Sequence, residues 1–177
     1  MTKDKMKMEY KKQVILIATG GTGGHIFPAL SIIGQKKFER YLIITDKRGE
    51  NYFTKFLDKK NINTLIYVQK VISPSQKLII NKFISLFYFG ISFLKSIVLV
   101  IKHKPNIAIG FGGYPSISPI LAAKFFGIYT IIHEQNAVVG RANKLLSHIS
   151  NLVALSFNCL LYTSDAADEG LGVDLGG

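Results

Sequence analysis

Ile15-Leu16-Ile17-Ala18-Thr19-Gly20-Gly21-Thr22-Gly23-Gly24-His25-Ile26-Phe27-Pro28 runs an apolar strand straight into four glycines and ends on a titratable ring. Glycine carries no Cβ and tolerates positive φ, so successive backbone N–H groups can turn toward an anion. A helix starting near Pro28 would add its positive dipole end. The stretch therefore predicts a loop that approaches a phosphorylated ligand.

The remainder of the chain alternates short apolar runs with longer helical segments. Strands are predicted at Val14–Thr19, Tyr41–Thr45, Thr64–Val68, Ile107–Gly110, Tyr129–His133 and Leu152–Leu155. Helices are predicted near Ala29–Lys37, Asn51–Lys59, Gln76–Lys102, Ser118–Phe126 and Arg141–Ile149. Such alternation implies an α/β fold with a parallel sheet and crossover helices. Three loops then follow strand ends: Gly20–His25, Gly110–Tyr114 and Glu134–Asn136. In open α/β sheets ligands bind beyond the carboxyl ends of the strands, so these loops are expected to converge.

Charge is unevenly distributed. All 22 Lys and Arg precede Cys159, together with seven of the 11 acids, and the last 19 residues hold the other four acids and no base. The lysines are scattered and no nucleic-acid module accompanies them, so anionic lipid or a phosphorylated substrate is the expected partner and nucleic acid is not. The single cysteine, Cys159, rules out an intrachain disulfide, and the four histidines lack metal-ligand spacing. The polar start, Met1-Thr2-Lys3-Asp4-Lys5, does not read as a secretory signal, so the chain is expected to work in the cytoplasm.

Phe83–Ile101 is 19 residues with one charge, Lys95. It is long enough to suggest a membrane span, yet a span would put the second glycine loop across the membrane from the first. Gly90, Ser85, Ser92 and Ser96 also interrupt it. An interfacial helix fits better, with Lys77, Lys82, Lys95, Lys102 and Lys104 as its basic rim. Residues 159–177 change composition and charge sign and show no apolar periodicity, so they are expected to be a foreign or misread tail. Residues 1–12 read as a basic extension, leaving 13–158 as the folded domain.

A strand and glycine turn alone could hold a dinucleotide, with Asp46 near the position of a ribose-binding acid. The spacing argues against it: Gly21-Thr22-Gly23 supplies two glycines of G-x-G-x-x-G, but Ile26 stands at the third, and no Gly-Lys-Ser or Gly-Lys-Thr follows. Three ordered motifs, Gly20-Gly21-Thr22-Gly23-Gly24-His25-Ile26-Phe27-Pro28-Ala29-Leu30, Gly110-Phe111-Gly112-Gly113-Tyr114, and His133-Glu134-Gln135-Asn136 with Gly140-Arg141-Ala142-Asn143-Lys144, together closely resemble the MurG family of peptidoglycan N-acetylglucosaminyltransferases. The resemblance runs from about Gln13 to Phe157.

That resemblance implies a Rossmann-like parallel sheet flanked by helices, the N-terminal half of a GT-B glycosyltransferase. The implied reaction moves N-acetylglucosamine from UDP-N-acetylglucosamine to lipid I with inversion, making lipid II, without a cofactor or obligatory metal. It also implies peripheral attachment to the cytoplasmic face of the bacterial inner membrane, and a C-terminal domain that this chain does not match, so the chain alone is expected to be inactive. The family places Thr22, Gly23 and Gly24 against the donor or the acceptor diphosphate and Asn136 against the donor sugar. Gly21, Gly112, Gly113 and Tyr114 would form the acceptor diphosphate loop.

The attacking sugar hydroxyl must lose a proton, and imidazole titrates near working pH, so His25 is the first candidate base; orienting the acceptor phosphates is its alternative role. Glu134 is a second candidate base, though a carboxylate at a strand end also suits loop orientation. Strand alternation turns His133 away from Glu134, His103 and His148 lie on helices without partners, and Arg141 reads as a helix-surface residue. Two other readings use part of this information. A nicotinamide-dependent oxidoreductase would use the first loop and Asp46, and a non-catalytic basic membrane-binding protein would use Phe83–Lys104.

Overall fold

The computed structural model describes residues 13–35, 37–58, 60–71 and 79–157, the last segment without side chains before Phe83. The basic extension (1–12), Lys77 and the side chain of Lys82, and the 159–177 tail with Cys159 lie outside what is described. Six strands, β1 (Val14–Ala18), β2 (Arg40–Thr45), β3 (Thr64–Val68), β4 (Ile107–Gly110), β5 (Tyr129–Glu134) and β6 (Leu152–Leu155), form one sheet. All pairings are parallel, in the order β3-β2-β1-β4-β5-β6. This is the expected Rossmann-like sheet, and its order reverses between β1 and β4.

Among the described residues five α-helices cover the sheet: α1 (Gly23–Gly34), α2 (Lys47–Leu57), α3 (Ile79–His103), α4 (Ile117–Phe125) and α5 (Arg141–Ser147). Strand residues alternate between the two faces, so β1 to β5 each feed two cores. Ile15, Ile17, Tyr41, Ile43, Ile109 and Phe111 pack under α1 and α2 with Ile26, Ala29, Leu30, Ile33 and Phe53. Leu16, Ala18, Leu42, Ile44, Ala108 and Ile132 pack against α3, α4 and α5.

Two helix starts differ from the sequence reading. The first helix begins at Gly23, not near Pro28, because Ile26, Ala29, Leu30 and Ile33 form one buried stripe that extends it toward the strand. The stripe outweighs the roughly 1 kcal/mol that each glycine costs a helix; Thr22 O accepts from the N–H groups of His25 and Ile26. The second helix begins at Lys47 rather than Asn51. Asp46 caps it by accepting from Gly49 N–H at 2.9 Å.

Helix α3 is apolar on both faces, packing Phe89, Phe93, Ile97 and Val100 into the core. Ser85, Ser92 and Ser96 are buried, whereas Phe83 (69% exposed), Leu86, Phe87 (67%), Leu94, Val98 and Ile101 face outward. The buried serines are satisfied: Ser96 Oγ donates to Ser92 O, Gln69 Nε2 donates to Ser96 Oγ, and Ser118 Oγ donates to Gln69 Oε1. The helix also stays with the domain, since β3 before it and β4 after it belong to the same sheet and Tyr67 of β3 hydrogen-bonds His103.

Candidate functional site

Because β1 and β4 are neighbouring parallel strands, their carboxyl ends release both glycine loops side by side at the point where strand order reverses. Gly20 N–H donates to Gly112 O at 2.8 Å, joining the loops directly. They also interlock sterically. Gly113 has φ +78, and a Cβ there would lie 2.9 Å from Gly20 Cα. Gly112 has φ +93, and its Cβ would meet the His25 ring (Cδ2 and Nε2, 3.0 Å) and Asn143 Nδ2 (3.2 Å). Bare backbone at these positions lets three loops meet.

His25 lies in the first turn of α1, half-buried. Its Nδ1 is bonded to Thr22 Oγ1 at 2.5 Å, while its Nε2 side faces Gly112. When Nδ1–H donates to the threonine hydroxyl, Nε2 keeps the lone pair that accepts a proton. Burial pulls the imidazole below the usual 6.5, against the opposing pull of the Glu134 and Asp46 charges, so the ring is neutral at pH 7. The same helix start leaves the N–H groups of Gly23 and Gly24 with no preceding carbonyl in the helix, an anion-binding end.

Glu134 ends β5 and is 1% exposed. One oxygen accepts from Asn136 N–H and Asn136 Nδ2, and the other from Gly140 N–H and Asn143 Nδ2, all at 2.9 Å. Burial pushes this carboxyl up, but the bonds from Gly140, Asn136 and Asn143 together hold it below 4.5. A carboxylate so fully engaged is a weak proton acceptor, and its geometry is that of a loop organiser. His133 does point away from Glu134: its Nε2 meets Ser156 Oγ at 3.1 Å and its ring packs on Phe111.

The expected site residues His25, Gly112, Gly113 and Glu134 thus gather around one point beside Gly20 of the first loop, with Thr22 and Asn136 fastened to its edge. Gly21 abuts α2, where a Cβ would fall 2.6 Å from Arg48 Cβ. Tyr114 opens a 3-10 turn, Tyr114–Ser116, and its ring packs against the α3–α5 core. Asp46 has its carboxylate committed to the α2 cap and to Arg48 Nη2 at 3.0 Å. Asn143 had no assigned role in the sequence, yet it is buried, donates to His133 O and Glu134, and lies beside Gly112. Its signal was an asparagine sharing a helix face with the buried Ala142 and Leu146.

A profile of the glycosyltransferase family 28 N-terminal domain matches residues 15–155. Over 151 residues the chain is 36% identical to the UDP-N-acetylglucosamine–N-acetylmuramyl-(pentapeptide) pyrophosphoryl-undecaprenol N-acetylglucosamine transferase of Rhodopseudomonas palustris (strain BisB18), covering 84% of this chain and 39% of that protein. The protein of the same name from Rickettsia prowazekii (strain Madrid E) is 40% identical over 149 residues, covering 82% of this chain and 36% of that one. The solved structure of Acinetobacter baumannii MurG matches with TM-score 0.64 at 28% identity, covering 89% of this chain and 44% of that one. A UDP-GlcNAc 2-epimerase from Neisseria meningitidis, at TM-score 0.55 and 15% identity over 79% of this chain and 39% of its own, shares the fold alone. The chain thus spans 36% to 39% of the length of these two curated relatives. By the match over residues 15–155, the chain belongs to the glycosyltransferase family 28 N-terminal domain family.

Proposed function

We propose that this domain is the acceptor-binding wall of a GT-B enzyme that transfers N-acetylglucosamine from UDP-N-acetylglucosamine to the muramyl sugar of lipid I. A second Rossmann-like half supplies the opposite wall and most of the nucleotide contacts. The observation that carries this reading is the joined pair of glycine loops at the strand-order reversal, with a neutral His25 against Gly112. First-turn amides of α1, including those of Gly23 and Gly24, and the Gly112-Gly113 backbone would cradle the acceptor diphosphate.

The proposed chemistry is a single inverting displacement. The acceptor hydroxyl oxygen forms a bond to the anomeric carbon of the donor, the carbon–oxygen bond to the diphosphate breaks, and UDP leaves with the electron pair. His25 Nε2 takes the hydroxyl proton, and Thr22 Oγ1 holds the ring in the accepting tautomer. Glu134 orients rather than reacts: it fixes the Asn136 loop, whose side chain would meet the donor sugar, and anchors Asn143 under Gly112.

The outward phenylalanines and leucines of α3, rimmed by the exposed Lys95, Lys102 and Lys104, support peripheral docking on an anionic membrane, on the cytoplasmic face. The test is transfer of labelled N-acetylglucosamine to a lipid I analogue by the full-length protein. Absence of transfer would overturn the reading, and His25→Ala should lower kcat about 100-fold or more. Wild-type turnover in that variant would remove His25 from the chemistry. The 177-residue chain alone should show no turnover.

A further inference from the structure

On the α1/α2 side of the sheet a cleft of about 410 Å3 opens beside the first glycine loop, lined by Gly21, Arg48, Asn51, Tyr52 and Lys55. The four α2 residues stand at i, i+3, i+4 and i+7, so they form one stripe of that helix. None of the lining side chains is acidic. Arg48 shares one guanidinium nitrogen with Asp46 and is otherwise exposed; Lys55 is exposed. At the rim, Tyr52 meets the 61%-exposed Phe27 of α1 edge-on, with ring centroids 6.5 Å apart. Two cations, a carboxamide and an aromatic shelf suit a chain that carries carboxylates and peptide groups.

We infer that this cleft binds the carboxylate-bearing peptide of the acceptor. The inference rests on the proposed transferase reading, in which the acceptor carries a lipid, a diphosphate and a pentapeptide. The layers of the fold separate those parts. The apolar face of α3 lies on one side of the sheet, the glycine loops lie at the carboxyl end of its central strands, and the cleft lies on the other side next to Gly21. A molecule whose diphosphate sits at the loops can therefore send its lipid toward α3 and its peptide along α2. Arg48 is at the loop end of α2 and Lys55 is seven residues on, an axial distance of about 10 Å. That matches about three extended peptide residues, so two carboxylates of one peptide can meet both cations.

The experiment titrates the 15N-labelled 177-residue chain with three soluble probes: muramoyl-pentapeptide, the same compound with its carboxylates amidated, and UDP-N-acetylglucosamine. The free acid should shift the amide resonances of Gly21, Asn51 and Tyr52. R48Q/K55Q should weaken its binding roughly tenfold, and the amidated probe should bind wild type and variant equally weakly. Both substitutions are on the surface and an unchanged amide spectrum elsewhere confirms the fold; K55Q alone serves as the second variant, with a smaller loss in the same direction. Equal binding of acid and amide, or an unchanged Kd in R48Q/K55Q, overturns the inference, as does UDP-N-acetylglucosamine shifting the same resonances more strongly than the peptide. The transferase reading fails separately. Sugar transfer by the full-length protein with no peptide binding in the cleft overturns only the cleft; peptide binding without any transfer overturns the reading beneath it.

Discussion

Replacing Glu134 by glutamine tests the organising role of the buried carboxylate. The two oxygens receive four donors, two from Asn136 and one each from Gly140 and Asn143. In Glu134→Gln the carbonyl oxygen can still serve Asn136, but the new NH2 group faces Gly140 N–H and Asn143 Nδ2. Two bonds to a charged acceptor are lost, each contributing about 1.5–3 kcal/mol, which sets an upper value of about 6 kcal/mol. Two effects offset part of it. The amide carries no charge to desolvate, and Asn143 can turn its carboxamide, presenting an Oδ1 that is buried without a partner among the described residues. That turn gives up the bond to His133 O. The expected net loss at pH 7 is about 2–3 kcal/mol, read from urea unfolding.

The pH dependence separates this account from a generic core defect. The folded pKa of Glu134 lies below 4.5, so its contribution is complete above 4.5 and is lost as pH falls through the folded value. The gap between wild type and Glu134→Gln should therefore close on acidification into that range. A gap below about 0.5 kcal/mol at pH 7, within the range of an ordinary surface change, would refute the reasoning. So would a gap that stays constant as the acid range is crossed.

Gly24 has nothing within 4 Å of its Cβ position, so Gly24→Ala should stabilise the chain by about 0.5–1 kcal/mol; in thermal melts Tm should rise while acceptor affinity falls, because the methyl group stands over the proposed phosphate cradle. Gly113→Ala should be far more damaging, since its positive φ is combined with backbone 2.9 Å away; urea unfolding should show a loss of more than about 2 kcal/mol. If His25 is the base, as proposed, the acid limb of kcat/KM for the full-length protein should inflect below 6.5, because that base must be neutral and burial depresses His25, and Glu134→Gln should move the limb lower by removing an attracting charge. Phe83→Glu with Phe87→Glu should abolish flotation with anionic liposomes without unfolding the domain, as both rings are outside the core, and wild-type flotation should weaken with salt.

The parallel sheet was legible because each strand is a short apolar run bounded by turn residues; β3, β4 and β6 begin and end where the sequence placed them. Helix starts were less legible because local punctuation misleads there. Gly23 and Gly24 look like loop and Pro28 like a first helical position, yet burial of Ile26 starts the helix at Gly23, on the strand side of Pro28. Gly49 sits inside α2, where the approach of Thr45 leaves no room for a Cβ. For the site, the glycine doublets announced the two loops and the strand-end rule their meeting. The commitment of Glu134 to four donors and the clamp made by Asn143 depend on distances that no spacing encodes.

The early helix start has a chemical consequence. A helix beginning at Pro28 would leave His25 on a free glycine loop, with its ring unrestrained. Beginning at Gly23, the helix places His25 three residues after the N-cap Thr22, close enough for Thr22 Oγ1 to hold Nδ1, and carries the ring against Gly112. The same turn presents amides to an anion and disfavours a cation at its end. Burial also keeps the imidazole neutral. An acceptor diphosphate bound there would act in the opposite direction, favouring the imidazolium once a proton arrives. In the proposed reaction one helix start therefore holds the phosphate and keeps the empty base unprotonated, and it makes that base stronger when the acceptor is in place.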